Sequence, residues 1–277
     1  MALRGAMSDN DMRADTALAA RGLAASREKA RALIEAGLAT VNGTVIAKPA
    51  QRVSEEDVLA VVAQAHPYVS RGGLKLEKAI RAFDVDVMGA VCVDIGASTG
   101  GFTDVLLQNG ARRVYAVDVG AGQLDPRIAA DSRVVSMEHV NARTLDASMF
   151  PEPPSLGVMD VSFISIRLIL PAALAVLGTQ GRMVTLVKPQ FEAGRSNIGK
   201  RGIVSKPEVH RQVLRELVDF VPSLGWRVRA LDFSPIAGGD GNLEFLADIV
   251  PGAAEAEPIG TEAISALVKR AHEAKLK

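Results

Sequence analysis

An α/β fold with a parallel sheet, preceded by a small α+β module, is what the sequence predicts, and three observations predict it. From Val91 onward, short β-favouring runs alternate with helical segments, the pattern of a parallel sheet joined by crossover helices. The first of these runs ends in the glycine-rich stretch Asp94-Ile95-Gly96-Ala97-Ser98-Thr99-Gly100-Gly101-Phe102, a strand-to-helix turn. Before Pro49 the pattern is different: a short amphipathic helix and then a hairpin centred on Asn42-Gly43.

The elements follow in order. Residues 1–11 lack the apolar stretch of a secretory signal and read as a disordered lead-in. Residues 26–37 open on a capping Ser26, close on Gly37, and place Ala30, Leu33 and Ile34 on one stripe with the preceding Leu23, which predicts a short helix. Asn42-Gly43 between two β-favouring runs predicts a two-residue turn. Later strands are expected at 91–95, 113–117, 133–137, 156–159 and 183–187. A helix opened by Pro207 and Glu208 carries Val209, Val213, Leu214, Leu217, Val218 and Val221 on its apolar side. Two last strands, 226–233 and 243–250, flank a turn-rich stretch, and 251–258 reads as a linker to a final short helix. The chain therefore divides into the lead-in 1–11, a small module 12–64, an interdomain linker 65–80, a main domain 81–250, and a linker with a C-terminal helix over 251–277.

With 277 residues, 48% of them hydrophobic, the chain can build an ordinary buried core. The one cysteine, Cys92, lies in an apolar run and can form no internal disulfide, which fits a reducing cytoplasm. Residues 168–177 form the longest apolar run, interrupted by Pro171 and short of the roughly 18 residues a membrane span needs. Net charge is zero, so the total argues for no polyanionic partner, but the distribution does. Arg13, Arg21, Arg27, Lys29, Arg31, Lys48 and Arg52 face only Asp15, Glu28 and Glu35 in the same stretch. A second basic stretch holds Lys188, Arg195, Lys200, Arg201, Lys206, Arg211 and Arg215 against Glu192 and Glu208. Two basic surfaces suited to a polyanion follow, although Arg27 and Arg31, four apart, also fit a plain solvated pair.

The glycine turn allows three readings. Gly96-Ala97-Ser98-Thr99-Gly100 fits the elbow that exposes a hydrolase's nucleophilic serine, with His139, His210 and His272 downstream. An elbow on a domain's first strand is out of place for that fold, and no histidine follows a suitable acid. A dinucleotide site would need G-x-G-x-x-G, and Ser98 stands where the middle glycine belongs. A smaller ligand with one ribose fits best. Gly96, Gly100 and Gly101 let backbone approach, and Asp118, closing the second strand, can accept hydrogen bonds from ribose hydroxyls.

The first motif, V-D-I-G-A-S-T-G-G-F-T, resembles that of class I (Rossmann-like) S-adenosylmethionine-dependent methyltransferases. The resemblance implies that Asp94, Gly96, Ala97, Ser98, Gly100, Gly101 and Phe102 surround the methionine end of S-adenosyl-L-methionine. It assigns the ribose to Asp118 and the border of the adenine to Glu138, Asn141 and Ala142. Four further residues, Lys75, Asp160, Lys188 and Glu244, together resemble the catalytic Lys-Asp-Lys-Glu set of FtsJ-like ribose 2′-O-methyltransferases. Methyl transfer to a ribose hydroxyl asks for alignment and for removal of a weakly acidic proton. On that resemblance Lys188 removes the proton or steers and stabilises the alkoxide, two roles that stay open, while Asp160 positions it and Lys75 and Glu244 orient the ribose and the amine.

The N-terminal pattern R-A-D-T-x-L, R-G-L-x-x-S-R, A-R-x-L-I-x-x-G and V-N-G resembles the S-four-like RNA-binding module of a ribosomal small-subunit protein. That resemblance makes the basic residues from Arg13 to Arg52, with Arg71 beyond them, candidates for RNA contact through phosphates and shape. With YVSRGGLKL, MDVSFISI, LVKPQFE and GNLEFL in order, the chain resembles the TlyA family. Members of that family carry the name hemolysin and are cytidine 2′-O-methyltransferases of ribosomal RNA, some acting on both 16S and 23S RNA and others on one alone. The expected partner is thus ribosomal RNA or a ribosomal subunit, with no metal, membrane or stable protein partner. Two other classes compete: a membrane-active hemolysin, and a non-catalytic RNA-binding assembly protein. The chain departs from the commoner R-G-A-x-K form at Gly73, a small-for-small change expected to leave Lys75 placed.

Overall fold

Asn42 and Gly43 take φ of 49° and 78°, the left-handed pair that a type I′ turn requires, and the hairpin they close organises the first unit. The computed structural model describes residues 11–24, 26–35, 37–61, 66–199, 202–238, 241–252, 258–274 and 276. The expected lead-in lies outside the described residues except for Asp11, as do Lys200, Arg201 and most of the expected linker at 251–258. The chain divides into two units, Met1–Pro67 and Tyr68–Lys277.

In the first unit, β1 (Met12–Arg13) leads into α1 (Ala14–Ala20) and α2 (Arg27–Glu35). The predicted cap on α2 is present, with the Lys29 amide donating to Ser26 Oγ at 3.1 Å. β2 (Ala39–Val41) pairs with β3 (Thr44–Val45) across the Asn-Gly turn, and β4 (Arg52–Val53) with β1. β5 (Leu59–Val61) lies on the other side of β2. Ala17, Leu18, Ala30, Ile34 and Ile46 form its small core.

The second unit begins where a linker was expected. From Gly72 the chain is helical, α3 (Gly72–Phe83), with Leu76, Ala79 and Phe83 buried. Arg71-Gly72-Gly73 carries the composition of a turn, but here Gly73 admits the Tyr68 ring: a Cβ on it would stand 2.6 Å from Tyr68 Cγ. The missing methyl at Gly73 is therefore space that Tyr68 occupies, and Lys75 is placed on a regular helix two residues later.

Alternation then runs as expected through β6 (Val91–Ile95), α4 (Gly101–Gln108), β7 (Arg113–Val117), α5 (Pro126–Ala129), β8 (Val134–Met137), β9 (Leu156–Met159), α6 (Leu170–Leu177) and β10 (Arg182–Val187). α7 (Pro189–Glu192), α8 (Pro207–Phe220), β11 (Trp226–Phe233), β12 (Phe245–Pro251) and α9 (Thr261–Glu273) complete the unit. Among the described residues one seven-stranded sheet forms, in the order β11-β12-β10-β9-β6-β7-β8. β10, β9, β6, β7 and β8 are parallel, while β12 is antiparallel to both β10 and β11. The sequence pattern did not carry that reversal, because it is made by β11 returning as a hairpin rather than by a crossover helix.

Side chains alternate between two cores, one on each face. Val93 and Ile95 of β6 face α6, α8 and α9, whereas Cys92 faces α3 and α4. The strand order reverses beside β6, so the carboxyl ends of β6, β7, β9 and β10 open onto a crevice at the topological switch point.

Candidate active site

Each parallel strand carries one of the sequence-expected site residues at its carboxyl end. Gly96 follows β6, Asp118 follows β7, Glu138 follows β8, Asp160 follows β9 and Lys188 follows β10. Gly96 has φ of 84°, and a Cβ on it would lie 2.5 Å from the Asp160 carbonyl oxygen, so the loop can pass this close to β9 only as glycine. Gly101 opens α4 against the Ser70 hydroxyl, where a side chain would collide. Two adjoining cavities result. One of about 190 Å³ is lined by Ser70, Gly72, Gly96, Ala97, Ser98, Gly101, Phe102, Asp160, Ser162 and Lys188. The other, about 610 Å³, is bounded by Gly96, Ser98, Asp118, Val119, Val140, Asn141, Ala142, Asp160, Phe163 and Ile164. Glu138 borders a smaller recess with Asp118 and Gln123, and its carboxylate accepts from the Gly122 amide at 2.8 Å.

The four residues expected as a catalytic set meet in one ion-paired cluster. Lys75 Nζ lies 2.6 Å from Glu244 Oε2 and 3.5 Å from Asp160 Oδ2. Lys188 Nζ lies 2.5 Å from Asp160 Oδ1 and donates to Ser162 Oγ at 2.9 Å. Burial works against the charge on Lys75, but Asp160 and Glu244 outweigh it and its pKa is raised. Burial likewise disfavours the Asp160 carboxylate, yet the two ammonium groups hold its pKa below the ordinary value. Asp160 and Lys188 line the cavity, whereas Lys75 and Glu244 stand buried in the layer behind them.

Two expected cofactor residues, Asp94 and Gly100, are placed away from both cavities. Asp94 is sealed from solvent beneath α4 and accepts from Thr103 Oγ1 at 2.7 Å, so it ties β6 to α4 from below instead of lining the cavity. Gly100 turns toward Leu124 and Ile128 with φ of 91°, on the side away from the crevice. Asn141 lines the large cavity, but its side-chain oxygen also accepts from the Arg143 amide at 3.0 Å. Asp118 accepts from the Ser98 and Gly120 amides at 2.8 and 2.7 Å, which orients its carboxylate at the cavity rim. Sequence reasoning assigned no role to Ser70 and Ser162, although both lie inside the motifs YVSRGGLKL and MDVSFISI, nor to Gln123, which carried no signal.

The serine-elbow reading fails on geometry. Ser98 adopts φ of 47° and its hydroxyl meets Gln123 Oε1 at 3.4 Å. His210 and His272 bond each other at 2.9 Å between α8 and α9, and His139 is exposed after β8.

The basic residues of the first unit divide by what holds them. Arg13 and Arg27 pair with Asp15 at 2.8 and 3.2 Å, and Arg31 pairs with Glu35 at 2.7 Å. Arg21 donates to the carbonyls of Ser54 and Asp57, and Arg52 to that of Asp11. Lys29 and Lys48 are exposed and have no side-chain partner among the described residues. Arg71, half-buried, heads α3 in the second unit.

Comparison with known proteins adds to this geometry. Residues 68–248 match the FtsJ-like methyltransferase family, and residues 12–59 match the S4 domain. The chain is 46% identical over 269 residues to YqxC of Bacillus subtilis, provisionally named an rRNA methyltransferase, covering 96% of each protein. It is 42% identical over 234 residues to the 16S/23S rRNA (cytidine-2′-O)-methyltransferase TlyA of Mycobacterium tuberculosis, covering 84% of this chain and 87% of that protein. A solved structure from Streptococcus thermophilus, provisionally named a hemolysin, superposes with a TM-score of 0.76 at 45% identity, over 96% of this chain and 97% of that one.

Proposed function

This chain belongs to the FtsJ-like methyltransferase family, and from that premise we propose that it methylates a ribose 2′-hydroxyl in ribosomal RNA, cytidine being the nucleoside and S-adenosyl-L-methionine the cofactor. The observation that carries the reading is the cluster of Lys75, Asp160, Lys188 and Glu244, closed by ion pairs beside a glycine-lined cavity.

The cavity fits the cofactor. Glycine at 96 and 101 leaves backbone, not side chains, at the floor, and the Asp118 carboxylate at the rim suits a ribose diol. Val119, Val140, Ala142 and Ile164 offer an apolar wall for a purine. When bound, S-adenosylmethionine supplies a methyl group made electrophilic by its sulfonium. The residues of this chain do the rest. Lys188 has three N–H donors, of which Asp160 and Ser162 take two, leaving one for a ribose oxygen in the cavity it lines. That contact orients the hydroxyl and stabilises the developing alkoxide, and in its neutral form the same nitrogen would take the hydroxyl proton. Asp160 fixes Lys188, and the Lys75–Glu244 pair behind it fixes Asp160, so the cluster reaches the substrate already ordered.

Lys188→Ala is expected to lower methyl transfer from tritiated cofactor to ribosomal RNA by about 10³-fold, with cofactor binding by calorimetry nearly unchanged. Retained methylation in that variant would remove Lys188 from the chemistry. Mass-spectrometric mapping of ribose methylation in 16S and 23S RNA, with and without the gene, identifies the nucleotide, and an unchanged map overturns the function. The hemolysin name of the Streptococcus relative makes membrane damage the second reading. No helix among the described residues is long and apolar enough to cross a membrane, and dye release from phosphatidylglycerol vesicles tests that reading directly.

A further inference from the structure

The short segment that delivers Lys188 grips the loop opposite it at a second point. Lys188 and Glu192 are the two ends of this segment, with α7 starting at Pro189 between them. The facing loop runs from Asp160, at the end of β9, to the buried Ile166. At one end Lys188 holds Asp160 and Ser162. In the middle the Phe163 and Phe191 rings stand 5.3 Å apart. At the other end Glu192 Oε1 accepts from the Ile166 amide at 2.8 Å, and Oε2 from Ser165 Oγ at 2.6 Å.

Two features make this more than local packing. The Glu192 side chain is only 5% exposed, and its closest cation, Arg167 at 3.7 Å, is shared with Glu216. Desolvating a carboxylate is costly, and both of its strong hydrogen bonds go to the one loop that carries Asp160. The loop also needs holding: Phe163 sits at φ of 66°, left-handed for a residue with a Cβ, and the residue is 91% exposed. Burial raises the pKa of Glu192, opposed by the bonds from Ser165 and Ile166 and by Arg167.

We propose that Glu192 is a positioning residue for methyl transfer: by fixing Ser165 and Ile166 it sets the loop so that Asp160 and Ser162 meet Lys188 at the cavity. The inference rests on the methyltransferase reading above. Glu192 touches neither the cavity nor the ion-paired cluster, so nothing in the chemistry itself calls for it.

Glu192→Ala and Glu192→Gln in the full chain separate positioning from simple structure. With tritiated cofactor and ribosomal subunits from a strain lacking the gene, the alanine variant is expected to lose about tenfold or more in kcat, with KM for the cofactor changed less than about twofold. The glutamine carboxamide can accept from Ile166 and donate to Ser165, so it is expected to recover kcat to within about threefold. Hydrogen exchange gives a readout that needs no turnover: amides 161–166 are expected to exchange about tenfold faster in the alanine variant alone, while β9 and β10 stay protected in both. Unchanged exchange at 161–166 overturns the proposal whatever the turnover, and so does an equal loss of kcat in both variants. A wild-type protein that methylates no RNA counts against the methyltransferase reading, and the exchange comparison then still decides whether Glu192 holds the loop.

Discussion

Asp94 has one oxygen bonded to Thr103 and the other without a partner among the described residues, and the side chain is closed to solvent. Burial pushes its carboxyl up to about 7, with the Thr103 bond opposing. A folded pKa above the unfolded value means that the native chain binds this proton more tightly. The group therefore costs nothing in acid, and its cost grows as pH rises from about 4 through about 7. Asp94→Asn, which keeps an acceptor for Thr103, is expected to raise Tm above that of the parent by an amount that widens by several degrees between about pH 5 and pH 8. A gap that does not change with pH, by scanning calorimetry, would show that the carboxyl is ionised throughout. The residue was legible as part of the first motif, but its depth was not: alternation along β6 puts it on the face that α4 covers.

At the scale of elements, α3 matters most, because it carries Lys75 and is held along its whole length. Lys75 reaches Glu244, and one turn later Lys78 Nζ donates to the Phe233 carbonyl at 2.5 Å, pairs with Asp232 at 3.2 Å and stands 3.7 Å from the Phe233 ring centroid. At its carboxyl end, Arg182 and Arg229 donate to the Phe83 carbonyl at 2.5 and 2.9 Å while both hold the fully buried Asp248 at 2.8 and 2.6 Å. The helix is thus tied to β10, β11 and β12, the strands that lead to Lys188 and Glu244. Arg182→Ala leaves Asp248 short of a partner and is expected to cost about 3 kcal/mol in urea denaturation. A loss below about 0.5 kcal/mol would show the cluster to be no stronger than a surface pair. None of these clamps could be read from 65–80, where turn-forming residues precede the helix and the strands that bind it lie far along the chain.

For the whole molecule, the distribution of basic residues decides more than their number. Arg13 holds the Asp15 carboxyl far below the usual carboxylate range, so this pair and Arg27 serve the fold of the first unit. Lys29 and Lys48 are the expected phosphate contacts with no competing partner among the described residues. Replacing either with alanine is expected to reduce the salt dependence of RNA binding by about one counterion each, measured as the slope of log affinity against log salt. Arg21→Ala is instead expected to lower stability, because Arg21 ties together the carbonyls of Ser54 and Asp57. An unaltered slope in both lysine variants would move the RNA contact to other residues.

The sequence by itself determined the alternating strands from Val91 to Val187, the Asn-Gly hairpin, the glycine turn and the four members of the ion-paired cluster. The strands, the hairpin and the glycine turn depend on side-chain period and turn chemistry, which neighbours along the chain dictate, whereas the four cluster members were legible only through their resemblance to the FtsJ-like Lys-Asp-Lys-Glu set. Only the tertiary structure decided that β12 runs antiparallel between β10 and β11, that α3 replaces a linker, that Asp160 and Lys188 face the cavity while Lys75 and Glu244 stand behind, and which basic groups are already paired. Each of those depends on burial and on partners remote in sequence, and desolvation together with charge pairing is settled only when the chain has packed.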